Sequence, residues 1–203
     1  MVSTKTYSIK EIARKNDDVN VKGIKSNIYV VFVANKTYRK KYKSVFKAFQ
    51  IIKERGYNGK LAIVGSGWEL DHVRPYVKDK VLEDVVLTGF VQEEEVSWLY
   101  RNAQLSVFPT LPETFGMPVL ESMGCGCPVV SSNYTAVPEV AGDAALLAED
   151  PLDEQEIADL MWRLLSDYEL RQQKIKAGLE RARQFTWTRA AREFVDVIEG
   201  VVS

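Results

Sequence analysis

Histidine and cysteine are scarce in this chain, which has one histidine, His72, and two cysteines, Cys125 and Cys127, among 203 residues. A single histidine without a surrounding pattern of cysteines or carboxylates does not indicate a metal site, and a Ser-His-Asp arrangement cannot be assembled around it. The spacing of the cysteines is metal-like, but a structural zinc site needs a second pair of ligands. We therefore interpret His72 as a surface residue and the cysteines as small residues that close a helix, and we expect no metal.

The chain also lacks a charge excess and a long apolar run. Its formal net charge is −1, which gives no reason to expect nucleic-acid binding. The longest apolar run, Ile28 to Ala34, is far shorter than the about 20 residues that a membrane-spanning helix needs. Few cysteines and no apparent secretory leader indicate a reducing compartment. We expect a cytoplasmic protein, with peripheral contact to a membrane as the alternative.

Apolar residues make up 46% of the chain and are arranged in short runs that alternate with helical patterns. Continuous β-branched and aromatic runs are typical of strands buried on both faces of a parallel sheet. The α/β alternation predicts a doubly wound, Rossmann-like parallel sheet, with ligands at the carboxyl ends of its strands. The predicted strands are Ile28 to Ala34, Leu61 to Val64, Val85 to Thr88, Leu105 to Phe108, one from Val129 and one at Ala145 to Leu147; the helices between them cover Val45 to Ile52, Glu69 to Lys78 and Glu93 to Asn102.

The domain organisation that we predict is a leader or linker remnant over residues 1–27 and a single domain over residues 28–203. Within the polar first stretch, Ser8-x-x-Glu11 is the pattern of a helix cap. The last part, residues 153–203, is expected to be helical, beginning with a capping-box-like pattern at Asp153 and continuing in helices over about Glu169 to Gln184 and after Thr186. In the last helix, Trp187 and Phe194 share one side, and we expect that side to pack on the protein's own sheet.

Two carboxylates, Glu113 and Glu121, flank a turn after the predicted strand that ends at Phe108. Gly116 frees the backbone in this turn, and Pro118 is expected in the first helical turn, where its missing N–H costs nothing. An open helix N-terminus of this kind is an anion site, usually for phosphate. Glu121 would lie in the first helical turn, about 12 Å from Glu113 at helical spacing. Spacing alone equally allows a solvated loop acid and a favourable first-turn charge.

Basic and glycine-rich segments follow the first two predicted strands. The cluster Arg39-Lys40-Lys41 with Lys43 lies at the rim where a parallel sheet binds its ligands, although a charge run alone is more typical of a solvated loop. Gly65-Ser66-Gly67 is half of a dinucleotide fingerprint, because Leu70 stands at the third glycine position.

The segment PETFGMPVLESMGCGCPVV, which begins at Pro112 and contains Glu113-x7-Glu121, resembles the donor-site signature of family 4 glycosyltransferases. These are retaining enzymes with two Rossmann domains in the arrangement called GT-B. The likeness continues through Ser131 to Asn133 and Val137 to Ala145, and backwards through Thr88 to Val91. From near Ile28 to its end, the chain resembles the C-terminal, donor-binding domain of that family, without a counterpart of the N-terminal domain.

The resemblance implies roles for particular residues. Glu113 would hold sugar hydroxyls, and Glu121 would hold the ribose diol. Lys40 and Arg39 would stabilise the leaving diphosphate; Arg39-Lys40 matches a run common in the family, whereas Asn35 stands where the family commonly has arginine. Main-chain groups of Val91 would hold the nucleobase, and the N–H groups of Phe115 to Val119 would face the phosphates. The full donor-binding set is Gly65, Gly67, Phe90, Val91, Phe115, Gly116, Met117, Pro118, Val119, Leu120 and Glu121.

The function that the resemblance implies is retaining hexosyl transfer from a UDP- or GDP-sugar to an acceptor glycan, lipid or other hydroxyl compound, with no cofactor. Full activity would need the missing N-terminal acceptor domain, and the last helix of such enzymes commonly crosses onto that domain, so Trp187 and Phe194 would then face it. Two alternatives are a non-catalytic nucleotide-sugar-binding module and one subunit of a split glycosyltransferase. A third is an NAD-binding Rossmann domain, against which the incomplete glycine fingerprint counts.

Overall fold

The computed structural model of the chain describes Val21, Ile24 and residues 28–36 and 41–202. The cap pattern at Ser8 and Glu11 and the basic residues Arg39 and Lys40 lie outside this part of the chain, so their predicted roles stay predictions. Within residues 1–27 the structure describes two side chains, Val21 and Ile24, and both are buried against the core.

Six parallel strands form one sheet in the order β3-β2-β1-β4-β5-β6. The chain runs outward from β1 to β3, returns to the other side of β1, and runs outward again from β4 to β6, which is the doubly wound arrangement predicted from the sequence. The strands are β1 (Tyr29–Val33), β2 (Lys60–Val64), β3 (Val85–Gly89), β4 (Leu105–Phe108), β5 (Val129–Ser132) and β6 (Leu146–Ala148).

Alternate residues of the strands pack into different parts of the core, which explains why the strands are apolar throughout. Val30 and Phe32 of β1 belong to one buried cluster, and Tyr29 and Val31 belong to another. The first cluster is completed by helices α1 (Tyr42–Glu54) and α6 (Glu154–Ser166), and the second by α3 (Glu93–Asn102). Because successive side chains of a strand point to opposite faces, both faces of the sheet are covered by helices.

The remaining core lies around the second half of the sheet. Phe108 of β4 and Val129 of β5 pack with α4 (Met117–Gly124), α5 (Val137–Ala141) and α7 (Tyr168–Ala182). Gly178 of α7 lies close to Met123 of α4, since a Cβ at Gly178 would stand 3.2 Å from Met123 Cγ. The two helices therefore pack in close contact, and α4 has a firm support behind it.

The predicted helix from Glu69 to Lys78 is wrong. The structure has two 3-10 turns there, Leu70–His72 and Arg74–Tyr76, followed by the short helix α2 (Asp79–Leu82). Pro75 is the physical reason, because it has no N–H to donate within a helix and disfavours helical backbone at the residue before it.

Asp153 caps α6, as expected, by accepting the backbone N–H groups of Gln155 and Glu156. The Glu156 side chain departs from a capping box: its carboxylate accepts the backbone N–H groups of Glu149 and Asp150 instead. These bonds tie the start of α6 to the chain that leaves β6.

The last helix, α8 (Trp187–Val202), is exposed along every side chain from Trp187 to Val201. Trp187 is 62% exposed and Phe194 is 67% exposed, so the expectation that they pack on the protein's own sheet is wrong. Across the described residues, no helix is both long enough and apolar enough to span a membrane.

Candidate binding site at the carboxyl edge of the sheet

The candidate site lies where β1 and β4 run side by side while the chain leaves them in opposite directions. Crevices at such a switch point, outside the carboxyl ends of the strands, are where open α/β sheets bind ligands. The segments that leave β1, β2, β3 and β4 contain every site residue predicted from the sequence.

Buried hydroxyl groups of β5 hold the loop that follows β4. Ser131 Oγ donates to the Phe108 carbonyl at 2.7 Å, and Ser132 Oγ donates to the Thr110 carbonyl at 2.9 Å. The backbone N–H of Thr110 donates to Ser132 Oγ in return, at 3.2 Å. Thr110 and both serines are buried. These hydrogen bonds therefore fix the backbone of the first residues of the loop.

Glu113 is anchored in this loop from two sides. Its backbone N–H donates to Thr135 Oγ1 at 3.0 Å, and Thr110 Oγ1 lies 3.5 Å from its Oε2. Thr135 belongs to the segment between β5 and α5 and has a positive φ of 51°. The carboxylate of Glu113 is thus placed by residues that follow two different strands.

Helix α4 begins directly after Gly116, whose φ of 92° and ψ of 45° are left-handed. A Cβ here would meet nothing closer than 3.6 Å, so the backbone conformation, and not crowding, favours glycine. Pro118 lies in the first turn, as expected. The N–H groups of Val119 and Leu120 both donate to the Gly116 carbonyl, at 2.9 and 3.3 Å.

Three N–H groups remain for a ligand at this helix N-terminus. In the described part of the chain, no acceptor is recorded for the N–H groups of Phe115, Gly116 or Met117, and Pro118 has none. Unpaired N–H groups at a helix start attract anions, together with the helix dipole. The predicted phosphate contacts of Phe115, Gly116 and Met117 stay predictions, and Val119 already has an intrahelical acceptor.

Glu121 is the fifth residue of α4 and lies in its second turn, so the expected first-turn position is wrong. The reading of Glu121 as a favourable first-turn charge loses its basis, because the dipole effect falls off within the first turn. Burial raises the pKa of the Glu121 carboxyl, and the charge of Glu93 raises it further. A partly buried carboxylate beside another acid is costly in the free protein, which is a feature of functional sites.

Behind Glu121 lies a buried group of side chains that are not charged. Burial, and next the charge of Glu121, raise the pKa of the Tyr100 phenol well above its usual range, and its hydroxyl has no hydrogen-bond partner among the described residues. Burial raises the pKa of the Cys125 and Cys127 thiols to about 12. Both cysteines are therefore neutral and poor nucleophiles at neutral pH. Within the described residues, no group of three or more potential metal-ligating side chains occurs.

The glycine turn after β2 joins the ends of three strands. Gly65 has a φ of 136°, and a Cβ on it would stand 2.4 Å from the Ala34 carbonyl oxygen, so only glycine fits. Its N–H donates to the Gly89 carbonyl at 3.0 Å. Asn35 Oδ1 accepts the Ser66 N–H at 3.0 Å, which gives Asn35 a structural role at the position where the resemblance leads one to expect an arginine.

The segment after β3 presents one exposed and one buried residue. Phe90 is 67% exposed, and Val91 is buried with Trp98 and Leu99 of α3. The predicted contact of main-chain groups of Val91 with a nucleobase stays a prediction.

Sequence reasoning missed a contact between Lys36 and His72. Lys36 Nζ lies 2.6 Å from His72 Nε2. The predicted surface histidine is in fact partly buried, and its ring packs edge-on against Trp68 at 6.4 Å. The signal available in the sequence was a lysine three residues after β1, but the partner lies 36 positions away.

The model of the family described as "Glycosyl transferases group 1" matches residues 13–181. The "O-antigen chain mannosyltransferase B" of Escherichia coli is 34% identical over 171 residues, which cover 83% of this chain and 45% of the relative. The chain thus spans less than half the length of this curated relative.

Two solved structures show the same fold. The Anabaena HepE protein in complex with UDP and glucose superposes with a TM-score of 0.76 at 18% identity, covering 88% of this chain and 50% of that one. The C-terminal domain of a glycosyl transferase group 1 family protein from Francisella tularensis superposes with a TM-score of 0.68 at 23% identity and covers 77% of this chain and 85% of that one.

Proposed function

Because the chain belongs to the glycosyl transferases group 1 family and has the fold of a GT-B C-terminal domain, we propose that it binds a nucleotide sugar for retaining hexosyl transfer to an acceptor hydroxyl. The main support for the proposal is the arrangement of backbone N–H groups at the start of α4. Three N–H groups without an acceptor in the described chain lie between Glu113 and Glu121. An anion site between two carboxylates suits a diphosphate with a sugar on one side and a ribose on the other.

Each carboxylate has a distinct task in this proposal. Glu113 accepts hydrogen bonds from sugar hydroxyls, and Glu121 accepts both hydroxyls of the ribose. Two donors aimed at the partly buried Glu121 carboxylate would offset the cost of its desolvation. The raised pKa of Glu121 therefore supports a ligand-binding role over a purely structural one.

The reaction breaks the bond between the sugar C1 and the diphosphate oxygen and forms a bond from C1 to the acceptor oxygen on the same face. The acceptor's proton passes to the leaving diphosphate, which departs as a nucleoside diphosphate. N–H groups at the start of α4 stabilise the charge that develops on the leaving oxygen. Arg39 and Lys40, implied by the family resemblance, would add to that stabilisation.

The relatives suggest which nucleobase and which sugar of the donor to test. The name of the Escherichia coli relative makes mannosyl the first group to test, and the bound UDP and glucose of the Anabaena protein make UDP-glucose the second. We propose a hexosyl donor carrying either UDP or GDP, with no cofactor.

Calorimetric titration of the purified chain with UDP, GDP, ADP and NAD tests this proposal. One nucleoside diphosphate should bind, and Glu121→Gln should lower its affinity about ten- to a hundredfold, because that is the free energy of a hydrogen bond to a charged group expressed as a change in binding constant. Glu169→Gln removes an exposed acid at the start of α7 and serves as the matched control. Absence of binding by every nucleotide would refute a self-sufficient donor site, and binding of NAD alone would favour the NAD-binding alternative.

A second candidate, one subunit of a split glycosyltransferase, is favoured by the exposed apolar side chains of α8. Trp187, Phe194, Val195 and Ile198 are all exposed although they are large and apolar. Exposed patches of this kind are typical of interaction surfaces. The missing partner would carry the acceptor site, either as another chain or as another domain of the same one.

Comparing donor binding with donor turnover separates the candidates. A complete enzyme transfers the hexosyl group to an acceptor when purified alone. A split subunit or a non-catalytic module binds the nucleotide sugar with the Glu121 dependence described above but releases no nucleoside diphosphate during prolonged incubation with acceptors.

A further inference from the structure

The contact between Lys36 and His72 brings two hydrogen-bond donors together. His72 Nδ1 accepts the backbone N–H of Glu69 at 3.0 Å, so this nitrogen carries no proton. A neutral imidazole has one N–H, which must then be on Nε2. Nε2 faces Lys36 Nζ at 2.6 Å, and a lysine ammonium has three donors and no acceptor. The pair therefore has no acceptor of its own, and because Lys36 is exposed, water or a bound anion supplies one.

No described residue supplies that acceptor. Across residues 28–36 and 41–202, no carboxylate is recorded within ion-pair distance of Lys36. Two acids lie near His72: Asp71 is 3.5 Å from Arg74 and pairs with that cation, and the Glu69 carboxylate accepts the backbone N–H of His72. An oxyanion would complete the arrangement, because each phosphate oxygen accepts several hydrogen bonds and charge-assisted bonds of about 2.7–2.9 Å are the strong ones.

The backbone holds the two groups in place at the edge of the sheet. Lys36 N–H donates to the Ser66 carbonyl at 3.4 Å, beside the bond between Asn35 and Ser66. The His72 ring is held by the Glu69 N–H and by its packing against Trp68, whose indole N–H donates to the Ala34 carbonyl at 2.7 Å. Both donors thus belong to segments that leave β1 and β2, at the same edge of the sheet as the start of α4.

We propose that Lys36 and His72 together form an oxyanion site that takes a phosphate group. The proposal rests on the proposed function in one respect: the phosphate that we assign to it is in the diphosphate of the nucleotide sugar. The flexible lysine stem moves to let the oxyanion bridge Nζ and Nε2. The site adds the Lys36 cation after β1, where Asn35 has a structural role instead of a charge, and the His72 N–H donor after β2.

The single histidine of the chain makes the site directly observable. His72 gives one set of imidazole resonances, so a proton–carbon NMR titration follows it without assignment. At a fixed pH of about 8, pyrophosphate should shift these resonances saturably. Lys36→Met should weaken that response about tenfold, whereas Lys176→Met, which removes an exposed lysine of α7, should leave it unchanged.

Two further titrations identify the source of the phosphate. The first measures nucleotide binding to the mutants by calorimetry, and the second follows the His72 resonances of the natural chain. If the phosphate is that of the donor, Lys36→Met and His72→Phe should each weaken the binding of a nucleoside diphosphate about tenfold and leave the binding of the parent nucleoside unchanged. Their effects should not be additive, because both residues act on one oxyanion. If the site takes the phosphate of a separate ligand instead, pyrophosphate should still shift the His72 resonances in protein that is saturated with the nucleoside diphosphate.

The outcomes are distinguishable from failure of the proposed function. If no nucleotide binds but pyrophosphate shifts His72 in a Lys36-dependent way, the oxyanion site stands and the donor-site proposal falls. If neither pyrophosphate nor any nucleoside diphosphate shifts His72 while the far-ultraviolet circular dichroism shows a folded chain, the oxyanion site is refuted.

Discussion

The hydroxyl of Thr135 accepts the backbone N–H of Glu113 at 3.0 Å, which joins the loop after β4 to the segment after β5. Thr135 adopts a left-handed backbone conformation to make this contact. The backbone of the residue proposed to hold the sugar is therefore fixed from outside its own loop, while Thr110 of the same loop lies 3.5 Å from its carboxylate.

Thr135→Ala should weaken binding of the nucleotide sugar but leave the nucleoside diphosphate unaffected. One hydrogen bond is worth about 1 kcal/mol, so a loss of about fivefold is expected in calorimetry of the sugar donor. Thr135→Ser keeps the hydroxyl and should restore the affinity. Equal weakening of both ligands would show that Thr135 supports the loop generally and not Glu113 in particular.

Glu121→Gln should stabilise the fold at neutral pH although it impairs the site. Burial raises the pKa of the Glu121 carboxyl, so the folded chain holds the proton more tightly than the unfolded chain. The stability that this tighter proton binding contributes is fully present below the ordinary carboxyl pKa and is lost as pH rises through the raised pKa.

Urea unfolding across a pH series checks this expectation. The stability difference between Glu121→Gln and the natural chain should grow in favour of the mutant from acid towards neutral pH. Glu169→Gln controls for the loss of one negative charge. A difference that does not change with pH would contradict the expectation.

Glu93→Gln should shift the pH dependence of nucleotide binding. We expect affinity to fall when the Glu121 carboxyl becomes protonated, because a neutral acid accepts the ribose hydroxyls less strongly. Removing the Glu93 charge lowers the pKa of Glu121, so the fall should occur at lower pH. The measurement is calorimetry of the bound nucleoside diphosphate from pH 7 downwards.

The neighbour Glu94 offers the matched control, since it has the same charge in the same first turn of α3. Glu94→Gln should leave the midpoint of the pH profile closer to that of the natural chain. Coincident profiles for Glu93→Gln and the natural chain would argue against coupling between the two acids.

Gly65→Ala should destabilise the fold more than Gly56→Ala. Both glycines have positive φ, 136° and 101°, but a Cβ at Gly65 would stand 2.4 Å from the Ala34 carbonyl oxygen, while one at Gly56 meets nothing within 4 Å. Backbone strain costs about 1–3 kcal/mol at either position, and overpacking adds about 1–3 kcal/mol at Gly65 only. Equal losses in urea unfolding would show that β1 moves away without cost.

Deleting residues 187–203 should change the free energy of unfolding by less than about 1 kcal/mol, as expected for exposed positions. No side chain from Trp187 to Val201 is buried. Leu179→Ala in α7, which removes a buried side chain, should cost about 2–5 kcal/mol in the same thermal or urea measurement. A large loss on truncation would mean that α8 packs on the domain in solution.

Local patterns were sufficient for most of the fold. The β-branched runs predicted the strands to within a residue or two, because a strand buried on both faces tolerates few polar residues. Helix α3 was predicted with its bounds, since its apolar period and its capping residues agree. The helix predicted from Glu69 to Lys78 does not form because Pro75 has no N–H to donate and disfavours helical backbone at the residue before it.

The sequence alone determined the strand and helix alternation, the glycine turns and the spacing of Glu113 and Glu121, because these depend on neighbours within a few residues. Only the tertiary structure decided that Glu121 of α4 lies near Glu93, that Lys36 meets His72, and that no side chain of α8 from Trp187 to Val201 is buried. These relationships join residues that are distant along the chain, and they depend on how the sheet and its helices pack, which no local pattern specifies.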